Sequence, residues 1–475
     1  MRSQRSLLHG LALAAFSSAL FLPLIGRGFL HDDFMWLSNV AHQTRWHGLT
    51  HPTPTFYTPL TWLTFKFDWM IWGMRPFPIA LENLLLHILN TLLLYRLALG
   101  LWRSRVAAWW TAFGFALLYL SNSWAVMWIS ARTHLLATLF CLAAMLAVVR
   151  FVKLERRRLP AAMAIILCCA LSMAAKEIGV ATVAASLIVL WYVAGRQRLR
   201  DNWASTVLLV FALLATLAAY LLLRAWAGAL SVASQEGWYA YAFEFKVFFS
   251  NLREYLSRTY LIGALLAGAI ALSLKIRGGS PGLGNVSRRE VLLSVMFFAA
   301  TIAPVILIRG RSGLYTYLPG IGAALLLGAA ARSLYDTAAT PEGESRRKRR
   351  VSLLPIVLLA ALLSVATVGQ SLKWRTMART NAAILRQLAE QDPHMERNTN
   401  VILRYADRDA RHRFPDGFGT WGFPFAVKLL YGDPSLRGEI VREGTAATVE
   451  GASSGGEVNY LYMAGEDSPK VIKQK

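Results

Sequence analysis

The chain has 475 residues, of which 55% are hydrophobic and only 16% charged, against about a quarter charged in an average soluble domain. Its apolar residues come in blocks that approach the roughly 20 residues needed to cross a bilayer as a helix, which excludes an ordinary soluble fold. The formal charge of +23 sits in short clusters between those blocks, as membrane-surface anchors do; no basic stripe interleaved with aromatics forms a nucleic-acid groove.

In chain order, spans are predicted at 7–26, 78–101, 106–122, 134–151, 160–175, 178–195, 203–223, 258–274, 290–308, 313–333 and 351–370. The first follows Arg2 and Arg5 and lacks a clean small-residue cleavage site, so it reads as an uncleaved span. The segment 59–73 is apolar but carries Lys66 and Asp68 and reads as re-entrant or interfacial. Cys141, Cys168 and Cys169 lie inside apolar blocks at no metal-type spacing and read as small buried residues. With the N-terminus in the cytoplasm, the inner segments hold the larger share of Lys and Arg, including the clusters at 150–158, 196–200 and 346–350. That is the asymmetry the positive-inside rule requires. Eleven crossings then leave the tail outside. The chain reads as an all-α polytopic membrane protein, residues 1–370, followed by a small extracytoplasmic mixed α/β domain, residues 371–475. The tail opens on a helix-like stretch at 374–391 and carries a turn at Pro415-Asp416-Gly417, where Pro presets φ and Gly accepts a positive one.

Ionisable residues at span ends are costly, and so informative. Asp32 and Asp33 follow the first span; adjacent residues on a regular element cannot point the same way, so one can serve as a general base and the other as an orienting group, unless the pair is a helix cap. Asn83, His87 and Asn90 share one face of the second span, as their steps of four and three require, and that face meets either other helices through interhelical hydrogen bonds, the favoured reading over direct catalysis, or a wet cavity. Arg132 is an outer cation before a span. Lys176 and Glu177 stand between two short spans, either as a local ion pair or as a site for a phosphate-bearing ligand. Arg309 and Arg311 precede Tyr315 and Tyr317; arginine's fork matches phosphate oxygens, and an interfacial anchor with an aromatic belt is the alternative.

Taken in order, Asp32-Asp33-Phe34, Tyr57-Thr58-Pro59-Leu60, the segment from Pro76 to Asn90, Arg132, Lys176-Glu177 and Tyr315 to Pro319 resemble the GT-C superfamily of membrane glycosyltransferases. The resemblance covers about the first two-thirds of the chain. Related sequences often have Arg where this chain has Thr58 and Leu314, so Arg309 or Arg311 would substitute. The resemblance implies transfer of a hexosyl or pentosyl group from a polyprenyl-phosphate sugar to a hydroxyl on a glycan, lipid or protein, with inversion, at the extracytoplasmic side of the inner (plasma) membrane. Asp32 or Asp33 would be the base; Lys176, Arg132, Arg309 and Arg311 would meet the donor phosphate; His87, Glu177, Tyr315 and Tyr317 would bind substrate. Some members of the superfamily use a divalent metal and others do not, so no cofactor is set. Two other classes fit ionisable residues in such places: a transporter or flippase, which would more often show internal repeats and charges at the midplane, and a non-catalytic envelope scaffold.

Overall fold

A computed structural model gives the fold; it describes residues 2–43, 47–51, 56–154, 158–201, 203–229, 240–338, 350–405, 415–419, 421–441, 456–464 and 469–474. The basic residues expected at 156, 157 and 346–349 lie outside the described residues. The chain is a polytopic helical membrane protein with a small C-terminal sheet. Among the described residues, seven helical stretches are long and apolar enough to cross a bilayer: Pro76–Trp102, Ile129–Lys153, Arg158–Ala175, Glu177–Gly195, Trp203–Trp226, Phe245–Ile276 and Arg350–Gln391.

The helices that position the site are α1 (Arg2–Phe21), α2 (Asp32–His42), α3 (His47–Thr50), α4 (Pro59–Trp72), α5 (Pro76–Trp102), α6 (Arg105–Ala116), α7 (Tyr119–Met127) and α8 (Arg132–Lys153). They are followed by α9 (Arg158–Ala175), α10 (Ala181–Asp201), α11 (Trp203–Trp226), α12 (Phe245–Ile276), α13 (Arg288–Ile302), α14 (Gly320–Thr337) and α15 (Leu354–Gln391). Local chemistry explains their ends. Pro59 and Pro76 open α4 and α5, where a missing N–H costs nothing. Ser104 caps α6 by accepting from Ala107 N at 3.3 Å, and Ser287 and Glu290 form a reciprocal capping box on α13. Helix α8 is central, with 72% of its apolar window buried in protein; α11 is peripheral, with 17%.

Three expectations change. The span expected at 106–122 breaks after Ala116, and the Asn122 side chain donates to the carbonyls of Phe115 and Ala116, each at 2.9 Å, at the end of the broken helix. The span expected at 313–333 begins as a 3₁₀ turn, Gly313–Thr316, ahead of α14. The last span and the helix expected at 374–391 are one continuous helix, α15, so the division expected at 370/371 falls inside it.

Beyond α15, strands β1 (Asn400–Tyr405), β2 (Arg437–Val441), β3 (Glu457–Ala464) and β4 (Pro469–Lys473) form a sheet in the order β2-β1-β3-β4. Strand β1 runs parallel to β2 and β3, with Val401 opposite Gly438 and Val458, and β4 is antiparallel to β3. Parallel neighbours need a crossover; between β1 and β2 the chain passes through helix α16 (Gly422–Tyr431), which packs on α2. Two large apolar cores stand out among the described residues. One fills the bundle around α6, α8, α10 and α14. The other joins Phe34 and Leu37 of α2 and Phe65 of α4 to Ile384 of α15, Val401 of β1 and Val427 of α16. The sheet and the start of α2 thus share a core, and the acidic pair lies at that seam.

Candidate functional site

The two adjacent aspartates face different surroundings. Asp33 is 1% exposed. Its Oδ1 accepts from Ser130 N at 2.7 Å and Ser130 Oγ at 2.6 Å, and its Oδ2 from Leu30 N at 2.9 Å. It pins the start of α2 to the 3₁₀ turn Ile129–Ala131 that leads into α8. Burial pushes its carboxyl up to about 7 against the pull of those three donors. Asp32 turns the other way: its Oδ1 accepts from Trp421 Nε1 at 2.6 Å. Burial raises the Asp32 pKa, while the Trp421 bond, His31 and the Lys176 ammonium oppose the rise. The balance leaves the Asp32 carboxyl above the usual carboxylate range, with neighbours that favour its charged form.

The tail reaches this point through its turn. Gly417 O accepts from His31 N at 2.6 Å, and Asn381 of α15 donates to Phe29 O and accepts from Gly417 N, both at 2.8 Å. Gly419 has φ +68°, and a Cβ there would come within 2.5 Å of His31 Nδ1, so only glycine lets the loop lie against the imidazole. The His31 ring also meets Trp128 and Trp374 edge-on, at 6.1 and 6.0 Å between centroids.

Lys176 and Glu177 stand at the junction of α9 and α10. Their charges are 3.5 Å apart, and Lys176 Nζ lies 3.9 Å from the centre of the Phe56 ring. Lys176 acts electrostatically on both Asp32 and His134. His134, in the first turn of α8, is 6.3 Å ring to ring from Tyr315. Both carboxylate oxygens of Glu177 are buried and accept no hydrogen bond among the described residues, while Tyr220 and Tyr241 lie within electrostatic range of it. The structure therefore gathers Asp32, Lys176, Glu177, His134 and Tyr315 at one end of the bundle.

The other expected residues are engaged elsewhere. Arg132 is 1% exposed; its guanidinium pairs with Asp68, reaches Glu82 at 3.1 Å, and donates to Asn83 Oδ1 at 3.2 Å and Ile79 O at 2.9 Å. It joins α4, α5 and α8 rather than facing the Asp32 mouth. His87 and Tyr317 meet each other, Nδ1 to hydroxyl at 2.9 Å, and Asn90 donates to the same hydroxyl at 3.3 Å. All three are buried in the bundle, as interhelical hydrogen bonding requires. Arg309 faces Glu244 at 3.6 Å; Arg311 binds Asn251 Oδ1 at 2.8 Å, Ser250 Oγ at 2.6 Å and Glu254 at 3.3 Å. Both arginines brace the segment ahead of and within α12. Ser130 and Trp421, not singled out from the sequence, and Asp68, noted there only as a charge in the segment 59–73, complete these arrangements. Trp421 had a local signal, an aromatic four residues after the Pro-Asp-Gly turn. Among the described residues no group of three or more His, Cys, Asp or Glu could hold a metal ion.

No family profile and no curated protein matches the sequence. Solved structures do. ArnT from Cupriavidus metallidurans in the apo state superimposes over 98% of this chain and 94% of its own, with a TM-score of 0.59 at 13% identity. The chain shares the fold of that protein along nearly its whole length. ArnT bound to undecaprenyl phosphate matches 96% of this chain and 93% of that one, with a TM-score of 0.56 at 14% identity. The oligosaccharyltransferase of Archaeoglobus fulgidus in its apo form matches 93% of this chain at a TM-score of 0.53 and 13% identity, but only 65% of that longer protein. The likeness in fold thus spans the C-terminal sheet as well as the bundle.

Proposed function

We propose that this chain is a membrane glycosyltransferase that moves a sugar from a polyprenyl-phosphate donor to a hydroxyl acceptor on the extracytoplasmic side, with its N-terminus in the cytoplasm. The observation that carries the reading is the fold shared along nearly the whole chain with ArnT, a structure of which holds undecaprenyl phosphate. The placing of a carboxylate beside a partly buried ammonium at one end of the bundle supports it.

In this reading Asp32 is the base. Asp33 has its two oxygens committed to Ser130 and Leu30 and positions α2. Asp32 takes the proton of the acceptor hydroxyl as the acceptor oxygen forms a bond to the anomeric carbon. The bond from that carbon to the donor phosphate oxygen breaks, and its electron pair leaves on the phosphate. Lys176 meets the developing charge where burial strengthens the attraction. Glu177, whose buried oxygens are paired in charge with Lys176 but accept no hydrogen bond among the described residues, is suited to accept from sugar hydroxyls. The positions of Arg132, Arg309 and Arg311 support a bracing role over direct contact with the phosphate.

The test incubates purified full-length protein in detergent with radiolabelled polyprenyl-phosphate sugars and candidate acceptors. Transfer is expected, with Asp32→Asn lowering it by roughly 10²-fold or more while the thermal unfolding midpoint stays near that of the wild type. Full transfer by the folded Asn variant, or no transfer from any such donor, defeats the reading.

A further inference from the structure

A cavity at the opposite end of the bundle from Asp32 has no part in this chemistry. Helix α5 runs from Ile79 and Asn83, beside Arg132, to Trp102; α8 runs from Arg132 to Lys153; α10 runs from the Lys176 junction toward Tyr192. At 1.5 Å per residue these helices separate their two ends by roughly 20–35 Å. Their far ends, with the start of α13, border an open cavity of about 410 Å³ lined by Gly100, Trp102, Arg103, Lys153, Tyr192 and Arg289, among others. One water occupies roughly 30 Å³ in the liquid, so the space admits a polar headgroup.

The lining is cationic on three sides. Among the described residues none of Arg103, Lys153 and Arg289 forms an ion pair with a carboxylate. The nearby acid, Glu290, is buried and already bound by Arg332 at 2.8 Å and by Ser287 N at 2.8 Å. Lys153 Nζ donates once, to Gly100 O at 3.0 Å, and Arg289 uses one amino group on the carbonyls of Trp191 and Tyr192. Each keeps further donors, since an ammonium carries three and a guanidinium five. The aromatic wall is fixed: Trp102 Nε1 donates to Tyr192 OH at 2.9 Å, and the Arg289 guanidinium lies 5.2 Å from the Trp191 ring centre. Leu154, next to Lys153, is 41% exposed at the end of a spanning helix, where acyl chains would cover it.

We propose that this cavity is a binding site for a phosphate-bearing anionic lipid headgroup in the leaflet opposite the acidic pair. Arg103 and Lys153 would meet the phosphate oxygens, and Arg289 would be held toward them by its stacking and its two carbonyl bonds. The shared chemistry is a phosphate anion beside clustered cations; the exposed leucine favours a lipid source over a soluble one.

Native mass spectrometry and thermal unfolding of the full-length protein in detergent test this with three probes: phosphatidylglycerol, phosphatidylcholine and inorganic phosphate. Phosphatidylglycerol is expected to stay bound and raise the midpoint where phosphatidylcholine does not, and Lys153→Gln with Arg289→Gln to weaken it at least about tenfold. Arg103→Gln, which removes no side-chain hydrogen bond or ion pair among the described residues, is expected to weaken it alone, and Lys153→Arg to keep it. A midpoint rise with inorganic phosphate of the same size would retain the anion site but assign it to a soluble source, overturning the lipid assignment. Equal binding of the two lipids, or unchanged affinity in Arg103→Gln and the double variant, overturns the site itself.

Discussion

At the Asp32 end of the bundle, Arg132 meets Asp68 and Glu82, Lys176 meets Glu177, and Asp33 accepts three hydrogen bonds from the chain itself. At the far end Arg103, Lys153 and Arg289 line an open cavity with no carboxylate paired to them among the described residues. Buried charge has to be compensated within the fold, because desolvation is costly and a lone partner is worse than none. Charge at an open rim can wait for a ligand. The same residue type therefore does unlike work at the two ends: Arg132 is structural because it is enclosed, and Arg103 is available because it is not.

The largest effect that tests this contrast is expected for Arg132→Met. It leaves Asp68 and Glu82 without their cation and should cost about 3–5 kcal/mol of stability, read as a large drop in the unfolding midpoint in detergent; a midpoint near that of the wild type would mean the enclosed pair is not needed. Asp33→Asn follows. The amide oxygen can still accept both donors of Ser130, but its NH2 then faces the Leu30 N–H and leaves that donor buried and unmet, for about 1–3 kcal/mol, and activity should fall as the start of α2 shifts. A smaller change is expected for Trp421→Phe. The indole bond lowers the Asp32 pKa, so its removal lets that pKa rise, and the carboxylate then forms only at higher pH. The acidic limb of the kcat/KM profile should move to higher pH, and an unmoved limb would detach Asp32 from the rate. The smallest effect is expected for Arg311→Gln, whose ion pair is part-exposed; it should cost below about 1 kcal/mol in chemical denaturation.

The bundle was legible where apolar periodicity and length coincide: the spans expected at 78–101, 134–151 and 203–223 lie within α5, α8 and α11. The break after Ala116 was not, because the polar run Ser121-Asn122-Ser123 that serves it reads equally well as the end of a span. For the site, the sequence singled out the acidic pair and Lys176-Glu177, since charged residues beside apolar blocks stand out. It could not rank Asp32 against Asp33. That distinction rests on Ser130, 97 positions from Asp33, and on Trp421, 389 positions from Asp32. Arg132 looked like a free outer cation for the same reason: its partner Asp68 lies 64 positions away in a segment whose depth the sequence left open.

Helix α15 runs unbroken for 38 residues, from its apolar first half to the edge of the sheet, with Trp374 against the Trp124 and Trp128 rings and Asn381 clamping the Pro-Asp-Gly turn. Along such a rod, angle and height are counted in residues. Adding one residue between Thr367 and Trp374 would turn everything beyond it by about 100° and lift it about 1.5 Å. Trp421 would swing off Asp32 although no residue near either had changed. The geometry that brings Trp421 to Asp32 thus depends on the length of this stretch of helix as much as on the residues at the contact.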